Sequence, residues 1–565
     1  MKKDNKLLNF GVQILVLISL IGIVYIFYKK QVNLNNYISE LTVKDLPIYA
    51  VKSFLRMSCA YALSLIFSVS YGILAATSKK REAIMLPILD ILQSVPILGF
   101  FPAAVFFFIS LFPGSSIGVE FSAIFLIFTS QSWNMAFGVY ESVTSIPKDV
   151  YEAYSFFDPV GKLKFSKLYI PSTIPKLVYN SMVSWSNGWY FLVASEIFAI
   201  GPQAFRLKGI GSFILEAASQ NNITLTLLGI ITLSIVIVLM DIFIWKPTSQ
   251  WSKRFTYSTT PGEEQETPVW ELVIIFWEFI GSILAKIKKI FSRIKLPKPH
   301  FKRITNKKLI NTFSKIIRYT IFVLLLVVVS YLSISLAKGI PTIVKGITRA
   351  SLFLVLKSTF YSFLRLLVAY VISLLWTFPF AIYMFTHPKF ATILSPITQV
   401  ISSIPAISVF PILLYFLLPF KNGLNLASII LLLTGMQWYL LFNIYGGLKA
   451  IPTDLLEFSD SFGVKGILKF KRLLLPATLP SLITGTITAW GGGWNALVVS
   501  EYINLKGKAY FLTGIGSLLN ISLDANNKPL FILSLLIMVL TVYSINHFIY
   551  RRLYDKIVDR YKMEG

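Results

Sequence analysis

The sequence predicts an all-α polytopic membrane protein made of two homologous six-helix halves, with about 12 transmembrane helices related by pseudo-twofold symmetry. Three observations predict this fold: one set of residues occurs twice at a constant spacing, long apolar runs recur along the chain, and charged residues are scarce. The 565 residues are 55% hydrophobic and 14% charged, whereas a soluble domain carries about 25% charged residues.

The duplication rests on residues that recur 305 positions apart, as Glu152 does at Glu457. Such a set of identical residues at one constant spacing, over about sixty residues, does not arise by chance. The recurring residues are Glu152, Gly161, Pro171, Pro175, Trp185, Gly188, Trp189, Glu196, Gly209 and Gly211. Upstream, Arg56 and Arg365 are 309 positions apart. The first copy therefore contains four extra residues between Arg56 and Glu152. The loop-like stretch PGSSIGVE lies in that interval, and loops tolerate insertions.

Each half contains apolar runs long enough to cross about 30 Å of hydrocarbon. In the first half they lie near residues 8–28, 52–76, 86–111, 119–139, 178–200 and 224–245. In the second half they lie near residues 316–338, 358–385, 393–418, 426–447, 481–503 and 528–549. The runs are expected to be helices, because backbone groups in lipid need internal hydrogen-bond partners. The first run is expected to remain as a helix, because it is too long for a signal peptide and no cleavage site follows it.

The chain divides into two halves and a linker. The first half is expected at 1–245, with a repeated core at about 48–245, and the second at 316–565, with a core at about 351–550. The linker 246–315 carries an apolar helical pattern at 269–292 and a strongly basic end. It is expected to form an amphipathic helix on anionic membrane lipid. An additional span at 269–292 is the alternative that the pattern leaves open.

The net charge of +27 belongs mainly to the connections between the apolar runs. In a soluble protein this charge would indicate a nucleic-acid partner, but here the positive-inside rule explains it, and no nucleic acid is expected. With an even number of spans, both termini and the linker lie in the cytoplasm. The chain is therefore expected to be a multi-pass protein of the cell membrane, that is, the plasma or inner membrane.

Cysteine and histidine are too rare to indicate a metal or redox centre. Cys59 is the single cysteine and falls inside a predicted span, and the three histidines are far apart in sequence. Neither a metal nor another cofactor is expected. No group of residues has the pattern of a catalytic site, so the chain is not expected to be an enzyme.

Two long connections on the basic side match one another: the first loop, residues 146–175, and the second loop, residues 451–480. Each begins with Ile-Pro, which suits a helix start, and places acidic residues in the early turns, where the helix dipole favours them. A short helix, a glycine-bearing break and a second helix ending at prolines are expected. The loops also carry aromatic residues, which favour a protein partner over lipid. These are Phe156, Phe157, Phe458 and Phe462.

Both loops resemble the EAA loop of permease subunits of binding-protein-dependent ABC importers. The second loop has the family's glutamate, glycine and proline at Glu457, Gly463 and Pro476, although Phe458 stands where an alanine is usual. Gly466 follows and matches a glycine of the first loop. The similarity covers nearly all of both halves.

The first loop departs from the pattern at a different place. It has the Glu-Ala pair at Glu152 and Ala153 and the proline at Pro171. Asp158 stands where the glycine is expected. Gly161 is therefore expected to supply the turn in this loop, since glycine adopts positive φ at little cost.

The resemblance implies a role in transport. The short helix of each loop would bind a cytoplasmic ABC ATPase subunit, so two ATPases are expected, and an extracytoplasmic solute-binding protein would deliver the solute. ATP hydrolysis is expected in the separate ATPase, because this sequence has no GxxxxGK[ST] phosphate loop. The stretches LQSVPILGFFP and GWYFLVASEIF resemble permeases of nitrate, sulfonate, taurine and bicarbonate importers. They imply a fused pair of permeases that moves a small anion or organic acid by alternating access.

Charged residues inside predicted spans are costly and are usually paired or in contact with water. Arg56 and Arg365 lie near the start of the second spans, and Glu196 and Glu501 lie near the end of the fifth. One interpretation is a polar framework along the solute pathway. The alternative is a structural salt bridge that joins the two helices within each half.

Two further matched pairs have open roles. Trp189 and Trp494 are expected either to line the pathway or to serve in packing and interfacial anchoring. Pro96 and Pro405 are expected to kink or interrupt the third spans.

A secondary active transporter with 12 spans is the alternative function. Such a carrier also has two six-helix halves, but it would need no repeated docking loop. It would also be expected to carry ionisable coupling residues near the middle of the membrane.

Overall fold

The structure is a computed structural model that describes residues 41–94, 96–112, 117–157, 164–197, 207–255, 346–505, 508–550, 552–553 and 556–557. The predicted spans near 8–28 and 316–338, the linker beyond residue 255, and both Asp158 and Gly161 lie outside the described residues.

All secondary-structure elements in the described part of the first half are helical. Its helices are α1 (Leu46–Ala76), α2 (Lys79–Ser94), α3 (Ile97–Leu111), α4 (Ile117–Thr144), α5 (Lys148–Phe157), α6 (Ile170–Ile197), α7 (Ile210–Ser219), α8 (Ile223–Met240) and α9 (Lys246–Ser252). Short 3₁₀ turns lie at Val43–Asp45 and Lys253–Phe255, and π-helical turns at Lys164–Tyr169 and Asp241–Trp245.

The second half repeats this order. Its helices are α10 (Arg349–Thr386), α11 (Pro388–Ser403), α12 (Ala406–Leu417), α13 (Gly423–Lys449), α14 (Thr453–Ser461), α15 (Gly466–Lys469), α16 (Leu475–Ser500), α17 (Ile515–Asp524) and α18 (Lys528–Ser544). Strands β1 (Tyr502–Leu505) and β2 (Lys508–Phe511) follow α16, and π-helical turns lie at Phe470–Leu474 and Ile545–Tyr550. The two matching sets of helices confirm the predicted all-α fold with two halves.

Equivalent helices pack in the same way in the two halves. α1 packs against α4 and α4 against α6, while α10 packs against α13 and α13 against α16. The halves meet where α3 contacts α16 and α12 contacts α6. One hydrophobic cluster runs through both halves, and it includes the fully buried Trp189 and Trp494. The core therefore joins the two copies into one body.

Six helices in the described part are long and apolar enough to cross a membrane, or seven if the bent pair α11–α12 is one span. The long helices α4 and α6 fall outside this set. Both carry polar side chains that are buried between helices, such as Gln131 in α4 and Ser184 in α6. Because these polar side chains make contacts inside the protein, hydropathy alone underestimates the ability of α4 and α6 to cross a membrane.

The prediction for the third spans is confirmed. α2 ends at Ser94 and α3 begins at Ile97, next to Pro96. In the second half, α11 and α12 are separated by Ile404 and Pro405 and bend by 78°. Proline lacks the backbone N–H and disfavours helical geometry in the residue before it, so the helix ends there.

The prediction that the second helix of each loop ends at prolines is wrong. Pro171 and Pro175 lie inside α6, and Pro476 and Pro480 lie inside α16. A π-helical turn precedes α6 in the first half and α16 in the second half. Because that turn already interrupts the regular i to i+4 pattern, the first proline removes no regular helical hydrogen bond.

The apolar pattern does not predict the β-hairpin after α16. Its strands pair antiparallel, from Tyr502 opposite Phe511 to Leu505 opposite Lys508. Ile503 packs into a small hydrophobic cluster between α12 and α13. Strands of four residues give too little alternation to be seen in an apolar sequence.

Candidate functional site

A cavity of about 1050 Å³ lies between the two halves. Helices α4, α6 and α8 line it from the first half, and α11, α13, α16 and α18 line it from the second. Many lining residues occupy equivalent positions in the two copies. The equivalent pairs include Pro96 with Pro405, Trp133 with Trp438, Trp185 with Trp490, and Trp189 with Trp494. The duplication therefore builds one cavity from two related walls.

The cavity wall is aromatic and mostly uncharged. Among its described lining residues the only ionisable group apart from tyrosine is Asp241, whose carboxylate lies 3.8 Å from Lys246 Nζ. Serine, threonine, asparagine and glutamine supply most of the remaining polar groups. Within the described part of the chain, no group of histidine, cysteine, aspartate or glutamate could hold a metal ion. The cavity can therefore accommodate a polar organic molecule through hydrogen bonds and ring contacts.

Two hydrogen bonds join the halves through residues that line the cavity. The Tyr439 hydroxyl donates to Asn187 Oδ1 at 2.8 Å, and the Leu98 N–H donates to Asn495 Oδ1 at 3.3 Å. A Cβ at Gly492 would lie 3.0 Å from the Tyr439 ring. The absence of a side chain at Gly492 thus leaves room for Tyr439 to reach the opposite half.

A charge cluster in the first half joins α1, α4, α6 and α7. Arg56 pairs with Glu196, and it also binds Glu120 through two bonds of 2.7 and 2.9 Å. Ser53 Oγ donates to Glu196 Oε1 at 2.7 Å, and Glu196 Oε2 accepts from the Gly211 N–H at 2.8 Å. The Arg56 and Glu196 side chains are at most 1% exposed. All four helices are therefore held together by one largely buried network.

The second half contains the equivalent cluster with one difference. Arg365 pairs with Glu501 at 2.5 Å, and Ser362 and the Gly516 N–H bind the same carboxylate. Where the first half has Glu120, the second half has Asn425, whose Oδ1 accepts from Arg365 Nε at 3.0 Å. Arg56 therefore has two carboxylate partners, whereas Arg365 has one.

Two matched glycines allow these clusters to form. A Cβ at Gly209 would lie 2.1 Å from Glu196 Oε1, and a Cβ at Gly514 would lie 2.0 Å from Glu501 Oε2. Both residues have extended backbone, so the requirement is close approach and not unusual torsion. The carboxylates can therefore approach the first turns of α7 and α17.

The structure separates the predicted pathway residues into two groups. Trp189 and Trp494 border the cavity and also pack in the core that joins the halves, so this pair fits both the pathway and the packing interpretation. None of the described cavity-lining residues is Arg56, Glu196, Arg365 or Glu501. These four residues form the inter-helix salt bridges that were the structural alternative.

The second loop presents an aromatic surface on a short helix. In α14, Glu457 is exposed, and the Phe458 and Phe462 side chains are 62% and 70% exposed, with ring centres 4.4 Å apart. Gly463 follows with φ of +66°, and its N–H donates to the Asp460 carbonyl at 3.0 Å. The predicted glycine break is confirmed in this loop, and Gly466 also has positive φ, at +59°.

The first loop has the same short helix. In α5, Glu152 and Ala153 are exposed and the Phe156 side chain is 83% exposed, and Phe157 ends the helix. Lys164 Nζ lies 3.4 Å from the centre of the Tyr151 ring, and its hydrogen bond to the phenol lowers the pKa of Tyr151 below the ordinary value. This contact ties α5 to the turn that leads into α6.

Sequence reasoning missed Glu120, Asn425 and the two serines as members of the charge clusters. Ser53 and Ser362 were visible as a matched pair 309 positions apart, but nothing in the pattern indicated a role. Glu120 and Asn425 are 305 positions apart and differ in residue type. Both residues could have been found by comparing positions 305 apart at which the two copies carry different residues.

Comparison with known protein families identifies both halves. A family model for the binding-protein-dependent transport system inner membrane component matches residues 68–244 and again residues 377–560. Together the two matches cover more than half of the chain, and each falls within one of the two copies.

Several individual permeases are each similar to only part of this chain. Bicarbonate transport system permease protein CmpB of Synechococcus elongatus is 26% identical over 202 residues, which are 36% of this chain and 68% of that protein. Nitrate import permease protein NrtB of Synechocystis sp. is 25% identical over 203 residues, 36% of this chain and 69% of that protein. The putative aliphatic sulfonates transport permease protein SsuC of Escherichia coli is 29% identical over 121 residues, 21% of this chain and 42% of that protein.

Proposed function

This chain belongs to the family of binding-protein-dependent transport system inner membrane components, and we propose that its halves together form the solute pathway and couple it to ATPases through the two loops. The chain is a multi-pass membrane protein, a duplicated permease of an ABC importer, and is not itself catalytic. Its family implies an ATPase and a solute-binding protein as partners. This membership decides against the secondary active transporter that the sequence left open.

The cavity between the halves carries the pathway proposal. It is lined by equivalent residues of both copies, including Pro96 and Pro405 at the breaks between α2 and α3 and between α11 and α12. A break of this kind in a membrane protein is tolerated where it borders a cavity. Movement of one half against the other would open the cavity to either side of the membrane in turn.

The two short helices α5 and α14 carry the coupling proposal. Each exposes a phenylalanine that a soluble partner could cover, namely Phe156 and Phe458. Clustered exposed aromatic residues mark contact surfaces for other proteins. We assign one ATPase to each helix, with Glu152, Ala153 and Glu457 on the same surfaces.

The orientation follows from this assignment. Both loops, both termini and the linker would be cytoplasmic, and the charge clusters would lie at the outer ends of α6 and α16. The basic connections and linker would contact anionic membrane lipid. The solute-binding protein would then deliver its solute at the end where the charge clusters lie.

The solute is proposed to be a small anion or an organic acid. This proposal rests on similarity to permeases whose names refer to bicarbonate, nitrate and aliphatic sulfonates. The cavity supports it through neutral hydrogen-bond donors such as the side-chain NH₂ group of Asn187.

Cysteine labelling in a Cys59→Ala background tests the orientation. Phe156→Cys and Leu455→Cys are expected to react with a membrane-impermeant maleimide only in inside-out vesicles. Phe420→Cys, in the exposed turn before α13, is the matched control and is expected to react only in right-side-out vesicles. Reaction of either loop position from outside would refute the coupling assignment.

A further inference from the structure

An apolar groove of about 550 Å³ lies between α1, α3 and α4 of the first half, separate from the cavity between the halves. Its wall includes five phenylalanines, and the lining residues Ile66 and Leu74 are 59% and 47% exposed, so the groove is open to the surroundings of the protein. The polar lining residues are Ser70 and Tyr71, and the Tyr71 hydroxyl already donates to the Met85 carbonyl at 2.8 Å. A hydrocarbon chain fits this lining better than a polar molecule does.

The groove ends beside three adjacent cations, Lys79, Lys80 and Arg81. Its α1 wall runs along one helix face as far as Leu74, and Thr77 is the next position on that face, because residues three or four apart share a face. Arg81 Nη2 donates to Thr77 Oγ1 at 2.9 Å. This hydrogen bond places the guanidinium group at the end of the groove.

The three cations are exposed and have no acidic partner. Within the described part of the chain, none of them takes part in a salt bridge. Glu82 is the acid next to them in sequence, but its Oε1 accepts from the Tyr140 hydroxyl of α4 at 2.7 Å. The positive charge of the cluster is therefore available to an anion from outside the protein.

The second half does not repeat the cluster. At the equivalent positions, 309 residues further along, it has Pro388, Lys389 and Phe390, so one cation remains. The Tyr383 ring stacks on His387 with centres 4.3 Å apart and meets Phe390 edge-on at 5.5 Å. Aromatic rings of the chain itself thus lie where the first half has its cations.

A groove of hydrocarbon character that ends at several cations is complementary to an anionic amphiphile. Burial of an acyl chain removes apolar surface from contact with water or headgroups, and a phosphate accepts strong hydrogen bonds from guanidinium and ammonium groups. Basic clusters at a membrane surface attract anionic lipids in this way. A soluble phosphate would gain nothing from the groove, and an uncharged lipid would gain little from the cations.

We propose that the first half binds one anionic phospholipid, with an acyl chain between α1, α3 and α4 and the phosphate at Lys79, Lys80 and Arg81. This assigns a specific site to the general contact with anionic lipid, and it rests on the proposed function only for the side of the membrane. In the proposed orientation the headgroup lies in the cytoplasmic leaflet. The bound lipid would span the junction at which α1 ends and α2 begins.

Native mass spectrometry of the purified full-length chain tests the headgroup preference. Phosphatidylglycerol and phosphatidylcholine with the same acyl chains are titrated separately, and the Kd of the first bound lipid is measured. We expect phosphatidylglycerol to bind at least about tenfold more tightly. Glycerol phosphate has the same headgroup chemistry without chains and is expected not to displace it. Equal binding of the two lipids, or displacement by glycerol phosphate, would overturn the proposal.

Matched lysine variants separate a specific site from general attraction to a basic protein. Lys80→Gln is expected to raise the Kd for phosphatidylglycerol about fivefold. Lys389→Gln makes the same change at the equivalent position of the second half, where an effect of at most about twofold is expected. Equal effects would contradict a site on the first half. Lys79→Gln replaces Lys80→Gln if that variant does not give a monodisperse protein.

Photo-crosslinking tests whether the acyl chain occupies the groove. A phosphatidylglycerol with a diazirine in one chain is expected to label peptides of α1 and α4, and excess unlabelled phosphatidylglycerol is expected to compete. Ser70→Trp would fill the groove and abolish this labelling, whereas Leu375→Trp, on the exposed face of α10, would leave it unchanged. Absence of competed labelling in the groove, as expected if another segment of the chain covers it, would overturn the proposal.

The outcomes also separate this inference from the proposed function. If ATPases bind but the two lipids bind equally, the lipid site is wrong and the importer permease stands. If phosphatidylglycerol binds as expected but the loops react from outside in the labelling experiment, the proposed orientation fails instead.

Discussion

Replacing Glu501 with alanine is expected to destabilise the folded chain by about 3–5 kcal/mol, because the change leaves a largely buried arginine without a carboxylate partner. Arg365 is 11% exposed and Glu501 is fully buried in their salt bridge. After the substitution, Arg365 keeps only the neutral oxygens of Asn425 and Thr513, at 3.0 and 2.9 Å. Thermal unfolding of the detergent-purified chain, followed by size-exclusion chromatography, measures the loss.

Glu196→Ala is the matched comparison in the first half. Arg56 keeps the carboxylate of Glu120 there, through bonds of 2.7 and 2.9 Å. We therefore expect Glu196→Ala to cost about half as much as Glu501→Ala. An equal loss, or a larger loss at Glu196, would show that the second carboxylate does not compensate.

A bulky side chain at Gly491 is expected to block transport without affecting the fold. Gly491 lines the cavity on α16, and a Cβ added there would meet no atom within 4 Å. Phenylalanine at this position would extend into the space between the halves, where the proposed solute pathway lies. We expect Gly491→Phe to lower ATP-driven uptake into proteoliposomes at least about tenfold, since protein interiors leave no alternative route of similar size.

Gly446→Phe provides the control for the blocked pathway. Gly446 is an exposed helical glycine on α13 that also has no atom within 4 Å of an added Cβ, and it does not line the cavity. Uptake is expected to stay within about twofold of the wild-type rate, as for most surface substitutions. Normal uptake by Gly491→Phe, or the same loss in both variants, would contradict a pathway through this cavity.

Several structural features could be predicted because a charge within a membrane span needs a partner and because proline interrupts helices. Arg56 and Glu196 lie in apolar spans, where a charge needs a partner, and the structure shows the pair. Pro405 removes a backbone donor, and α11 and α12 separate at that point. The duplication strengthened these predictions, since each interpretation had to apply to both copies.

Other features depend on information that a single sequence does not contain. Glu120 and Asn425 bind equivalent arginines but differ in type, so an identity search passes over them. The hairpin that begins at Tyr502 depends on tertiary packing, because Ile503 is buried against α12 and α13.

The most direct test of the account is the mass of the intact complex after coexpression with ATPase subunits of this importer class. Native mass spectrometry in detergent is expected to show one chain with two ATPases, one for each loop. Phe458→Asp on α14, which places a charge on the proposed contact, is expected to reduce the complex to a single ATPase. A stable chain that binds no ATPase, or uptake driven by an ion gradient without ATP, would contradict the account.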